Sequence, residues 1–137
     1  GGVGVPPLLG LCKKLISENK TVSVILGFNT RAEIILEDEF RALGANVAVT
    51  TADGSYGLKG FVNAAMEHAD YSYFYTCGPK PMLKAVYAAA KTSGQFSFEE
   101  RMGCGTGACM GCTCKTKQGP KRVCTEGPVF SKEEIEW

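Results

Sequence analysis

Four of the seven cysteines carry the most specific spacing in this chain, Cys104-x4-Cys109-x2-Cys112-x11-Cys124. Thiolates gathered at such intervals are metal ligands, and C-x4-C-x2-C followed by a distant cysteine is the plant-type pattern for a [2Fe–2S] cluster, here with a shortened last interval. Three thiols so close in sequence reach one cluster only from a loop wrapped around it, because neither a helix nor a strand aims all three at one place. Gly103, Gly105, Gly107 and Gly111 permit that loop and offer bare backbone N–H groups to cluster sulfurs. A four-thiolate zinc site is the competing reading, but such sites usually show two C-x2-C pairs, and one stands here. Cys114, two residues past Cys112, is a weaker candidate for the third ligand.

The basic residues Arg101, Lys115, Lys117, Lys121 and Arg122 interleave with these cysteines, and no acidic residue falls between Arg101 and Cys124. Cations there would stabilise an anionic cluster and raise its potential. They serve equally as a solvated face or as a dock for an acidic partner, and the sequence leaves the three open.

Two other groups have chemical potential. Gly2-Val3-Gly4 opens a G-x-G-x-x-G pattern whose third glycine position is Pro7, at the mouth of a helix where N–H groups and the helix dipole hold a pyrophosphate. A plain glycine turn explains it as well. Asn29 and Arg31 stand where an acidic residue would take the ribose hydroxyls, which leaves NAD versus NADP open. Thr76-Cys77-Gly78-Pro79 follows a strand, at the carboxyl end where open α/β sheets bind ligands. That puts Cys77 at the crevice mouth as a catalytic candidate, against the reading of a small buried hydrophobe. The lone His68 ends a helix and reads as a C-terminal charge.

The elements expected to position these groups alternate. A helix over 7–18 follows the first glycines, with prolines in its first turn and Leu8, Leu11, Leu15 and Ile16 at helical spacing. A strand over 21–26 is closed by Gly27, and Thr30 with Glu33 reads as a capping box for a helix over 31–43 that stops at Gly44. Then come a strand over 47–50, a polar loop Ala52-Asp53-Gly54-Ser55-Tyr56-Gly57, a helix near 58–68, a strand over 71–76 and a helix over 81–91. Alternation of this kind demands a parallel sheet with helical crossovers, so the fold class is α/β, Rossmann-like, lacking its first strand. After Gly94 the pattern dissolves into glycines, cysteines and basic residues. The expected division is a nucleotide-binding domain over 1–96 and a small cluster domain over 97–137.

With 45% apolar and 21% charged residues, the balance is that of a soluble globular protein, and 15 basic residues against 14 acidic ones give no global field for nucleic acid. An odd cysteine number without an export signal argues against a disulfide framework, and no apolar run approaches membrane length, so the expected location is cytoplasmic. The glycine loop at the start, with no strand before it, suggests a fragment.

Gly-Gly-x-Gly-x-x-Pro, then Cys-Gly-Pro-x-x-Met over 77–82, then Ser-x-Glu-Glu-Arg-Met-x-Cys-Gly-x-Gly-x-Cys-x-x-Cys over 97–112 resemble, in that order, the ferredoxin reductase-like family. Within it they are similar to the electron-transfer subunits of NAD-dependent dihydroorotate dehydrogenases. The resemblance implies an FAD-binding barrel, expected to fall outside this fragment, followed by an NAD(H) domain and a [2Fe–2S] domain that passes electrons to the FMN of a catalytic partner subunit in a heterotetramer. It also implies that Gly2 and Gly4 line the dinucleotide phosphates, that Cys77, Gly78 and Pro79 face the nicotinamide, and that Asp53 lies near the adenosine ribose. Glu99 and Glu100 would sit by the flavin edge or the cluster hinge, and Cys104, Cys109, Cys112 and Cys124 would ligate the cluster. Without FAD the fragment would have no hydride acceptor. Related subunits of hydrogenases or bifurcating enzymes share these features, and a zinc-bearing binding module is the alternative of another class.

Overall fold

Pro6 and Pro7 occupy the first turn of α1 (Val5–Ser17), where a missing N–H costs nothing and the fixed φ suits a helix. A 3-10 turn, Gly2–Gly4, leads into it, with Gly2 at φ +53°. The computed structural model describes all residues from Gly1 to Trp137, which form two compact units, Gly1–Asp70 and Tyr71–Trp137.

In the first unit β1 (Ser23–Phe28) and β2 (Asn46–Thr51) run parallel, in register from Ser23 opposite Asn46 to Phe28 opposite Thr51. The two-residue strand β3 (Leu58–Lys59) extends the sheet on the far side of β2. Leu26, Phe28, Phe40 and Val49 pack with Val5 and Cys12 of α1 into the core. The strand lies two residues later than expected, and Gly27 is inside it rather than closing it. A Cβ at Gly27 would come 2.4 Å from Val62 Cγ1, so this glycine serves the close approach of α3 (Val62–Met66).

The helix expected over 31–43 is broken. Arg31–Glu33 makes one 3-10 turn, Ile34 is extended, Leu36 is left-handed at φ +62°, and α2 spans only Glu37–Ala42. Thr30 makes no side-chain cap bond, and Glu33 instead accepts the N–H of Asn29 at 3.0 Å. Ile34 and Leu36 pack against the core, and that burial overrides the helical pattern. Gly44, at φ +90°, ends α2 as expected. Helix α3 starts later than expected because Leu58 and Lys59 join the sheet, and His68 lies beyond its end.

The second unit holds β4 (Phe74–Cys77), α4 (Lys80–Ala89) and β5 (Gly94–Ser97), a parallel pair with its helical crossover. Strand β5 starts at Gly94, where the sequence pattern predicts no further element, and the expected boundary at 96/97 falls within it. The cysteine segment follows as a loop, then the short hairpin of β6 (Thr113–Cys114) with β7 (Lys121–Arg122), α5 (Val123–Glu126), and β8 (Val129–Ser131) antiparallel to β5. An aromatic cluster fills this unit: Phe74 meets Phe96 edge-on at 5.3 Å, Phe98 meets Phe130 at 5.8 Å, and Trp137 stacks on Phe98 at 5.6 Å. The α/β alternation expected from sequence is therefore present, with parallel pairs in both units.

Candidate metal centre

The hairpin of β6 and β7 and the short α5 deliver the third and fourth cysteines of the pattern. Cys112 immediately precedes β6, Cys124 lies in the first turn of α5, and the N–H of Val123 donates to the Cys112 carbonyl at 3.1 Å. Cys104 and Cys109 lie on the exposed loop before them. That loop turns through left-handed conformations at Gly105 (φ +69°), Gly107 (φ +85°) and Met110 (φ +58°).

Backbone N–H groups converge on the sulfurs. Thr106 and Cys109 each donate to Cys104 Sγ at 3.4 Å, Gly111 donates to Cys109 Sγ and Cys124 to Cys112 Sγ at the same distance. The Thr106 side chain, with these N–H groups, pulls the Cys104 thiol down to about 5. The Cys124 N–H and thiol hold Cys112 below its usual range, and donating to Cys112 raises Cys124 in turn. Burial pushes Cys114 up, which suits a thiol that stays protonated away from metal.

A [2Fe–2S] cluster fits these residues. The thiols hydrogen-bond two by two, Cys104 with Cys109 and Cys112 with Cys124, the grouping that two irons taking two thiolates each would use. A Cβ at Gly103 would lie 3.3 Å from Cys109 Sγ, so a side chain there would crowd the sulfur.

Arg122 is a residue that the sequence marked only as basic. Its Nη1 donates to the Gly107 carbonyl at 3.1 Å and its Nε to Glu126 at 2.9 Å, tying the loop to the start of α5. Lys121 is turned the other way, onto Glu134 at 2.6 Å. Of the basic set, then, at least these two have definite structural tasks.

The nucleotide candidates lie at the expected ends of elements. In the first unit Gly4 caps α1, and Asp53, after β2, accepts the Ser55 N–H at 2.9 Å and the Ser55 hydroxyl at 2.6 Å. The Ser55 bonds hold the Asp53 carboxyl below its ordinary range. Ser55 Oγ accepts the N–H of Arg31 at 2.8 Å, and the Arg31 guanidinium lies 5.5 Å from the centre of the Tyr56 ring. The loops after β1 and β2 are thereby knitted into one polar rim at the carboxyl ends of parallel strands. In the second unit Cys77 is buried at the end of β4, Gly78 has φ +155°, Pro79 caps α4, and Glu100 pairs with Lys80.

Residues 1–88 match the model of the oxidoreductase NAD-binding domain. The chain belongs to that family. Residues 99–136 match the iron–sulfur cluster binding domain of dihydroorotate dehydrogenase B. Among curated proteins it is similar to the dihydroorotate dehydrogenase B (NAD(+)) electron transfer subunit of Shouchella clausii, 44% identical over 98% of this chain and 54% of that one. The subunits of Bacillus pumilus, 45% identical over 98% and 54%, and Fusobacterium nucleatum, 42% identical over 99% and 55%, carry the same name. A solved structure described as an NADH-dependent reduced ferredoxin-NADP oxidoreductase, studied for flavin-based electron bifurcation, superposes with a TM-score of 0.86 at 31% identity, over 100% of this chain and 52% of that one. The chain spans about half the length of the relatives it matches. The expected architecture, a ferredoxin reductase-like NAD-binding fold followed by an iron–sulfur domain, is present in this chain. No helix is long and apolar enough to cross a membrane.

Proposed function

We propose that this chain is the NAD- and cluster-binding part of a dihydroorotate dehydrogenase electron-transfer subunit of pyrimidine biosynthesis. Residues 1–96 would serve the nucleotide and residues 97–137 a [2Fe–2S] cluster held by Cys104, Cys109, Cys112 and Cys124. The observation that carries this reading is the two-by-two pairing of the thiols inside a glycine loop with N–H groups aimed at sulfur. Identity of 42–45% to subunits of that name supports the partner assignment.

When bound, NAD(H) and FAD would supply two-electron hydride chemistry and a [2Fe–2S] cluster one-electron transfer. The protein's own groups bind and orient. Gly2 and Gly4 would line a pyrophosphate at the start of α1: Gly2 has nothing within 4 Å of its Cβ position, while the Gly4 N–H is given to the Gly1 carbonyl at 3.1 Å. Asp53, held in place by Ser55, offers a fixed acceptor to the ribose, and Cys77, Gly78 and Pro79 shape the nicotinamide end. The partner is an FMN-containing catalytic subunit in a cytoplasmic heterotetramer, and FAD is held mainly by a preceding domain.

The test is to purify the full-length protein with its FMN-containing partner and measure NAD reduction by dihydroorotate. Turnover dependent on both subunits is expected; no stimulation by dihydroorotate would defeat the reading. The bifurcating neighbour favours a second partner class, with the same cofactors feeding a ferredoxin-linked enzyme. Ferredoxin-dependent rather than dihydroorotate-dependent NAD turnover would select it.

A further inference from the structure

Lys80 and Glu100 form an ion pair between the two motifs on which the proposed function depends. Lys80 opens α4 directly after Cys77-Gly78-Pro79, and Glu100 stands four residues before Cys104. The Glu100 side chain is 16% exposed and that of Lys80 51%. Glu100 Oε1 is buried and accepts no hydrogen bond, so the Lys80 ammonium is the counter-charge that compensates it.

Four residues of chain span at most about 14 Å, so the backbone of Glu100, and with it the pair, stays close to the first cysteine of the pattern. A buried carboxylate with a single cation adds little net stability, because desolvation consumes most of the attraction. What it leaves is a fixed geometry and a fixed local field.

We propose that Lys80 and Glu100 are positioning residues that hold the entrance of the cysteine loop to the turn after β4 and set the reduction potential of the cluster bound there. The proposal rests on the cluster assignment above. Reduction adds one electron, so a nearby carboxylate opposes it and a nearby ammonium favours it. Together the two charges largely cancel. Removing either exposes the other.

The experiment is an anaerobic redox titration, followed by electron paramagnetic resonance, of the full chain reconstituted with iron and sulfide. Glu100→Gln leaves Lys80 uncompensated and is expected to raise the midpoint potential; Lys80→Met leaves Glu100 uncompensated and is expected to lower it. The double variant is expected to return toward the unsubstituted value, and Lys80→Arg to stay near it. Single variants that shift in the same direction, or not at all, would overturn the proposal. If both singles fail to load iron, the reversed pair Lys80→Glu with Glu100→Lys decides: restored loading supports a positioning role, and failure to load overturns it. An unsubstituted chain that binds no iron and sulfide would refute the cluster assignment itself, and this proposal with it.

Discussion

The backbone N–H of Cys124 is aimed at the Sγ of Cys112 from 3.4 Å, across eleven intervening residues. That contact brings the last cysteine of the pattern to the third and separates them as a pair from Cys104 and Cys109, which meet through the N–H of Cys109. Two pairs of thiols are what two irons ask for.

Replacing Cys124 or Cys112 with Ser is therefore expected to drop bound iron from about two per chain to well under one, read by iron and acid-labile sulfide assay. Cys114→Ala should keep both. Equal loss on all three substitutions would refute the separation of Cys114 from the ligands.

Arg122→Ala removes the bonds to the Gly107 carbonyl and to Glu126. The guanidinium is partly exposed, so the loss of stability is expected to be small, seen as a slightly lower urea midpoint. Iron should also pass to a chelator faster. Lysine at this position cannot make the same fork of bonds and should behave like alanine.

Two glycine-to-alanine changes are expected to act with opposite sign. At Gly94 an added Cβ meets the Phe74 ring at 2.3 Å, an overpacking that costs about 1–3 kcal/mol. At Gly10, inside α1, it meets nothing within 4 Å and stabilises by about 0.5–1 kcal/mol. Thermal unfolding of the two variants side by side reads the difference.

Acid should loosen the C-terminal segment through Glu134. Lys121 first, and then the N–H of Ser131, hold its carboxyl below the ordinary range. With the folded pKa depressed, the contribution is complete above the unfolded value of about 4.3 and is lost as pH falls through the folded one. Glu134→Gln should flatten that part of the stability profile and leave the neutral-to-alkaline side unchanged in slope.

Ser55→Ala cuts the link from Asp53 to the N–H of Arg31. Loss of about 1 kcal/mol of ordering predicts roughly fivefold weaker NADH binding by calorimetry on the full-length protein. Unchanged affinity would move the ribose away from this rim.

The cysteine spacing and the helix–strand alternation were legible because each rests on local rules, ligand reach for one and hydrophobic period for the other. The break in the 31–43 segment was not, because Ile34 and Leu36 take their conformation from the core they enter rather than from their neighbours in sequence. Strand β5 was hidden for a related reason: Gly94 reads as an end, yet its bare Cα is what lets the Phe74 ring lie over it. Gly27 misled in the same way, its role set by Val62 thirty-five residues on. Arg122 carried no signal beyond charge, since a bond to a carbonyl fifteen residues earlier leaves no trace in spacing.

Strand β5 is bonded on one side to β4 and on the other to β8. Strands that bracket the cysteines, one from each side in sequence, thus share a single ladder, with Phe96 and Phe130 opposite each other in it. The segment cannot be traded between carriers like a plug-in cassette. A recombination joint placed at its start would cut through the ladder and leave Phe130 without its neighbour, so the two halves are expected to be inherited, and engineered, as one piece.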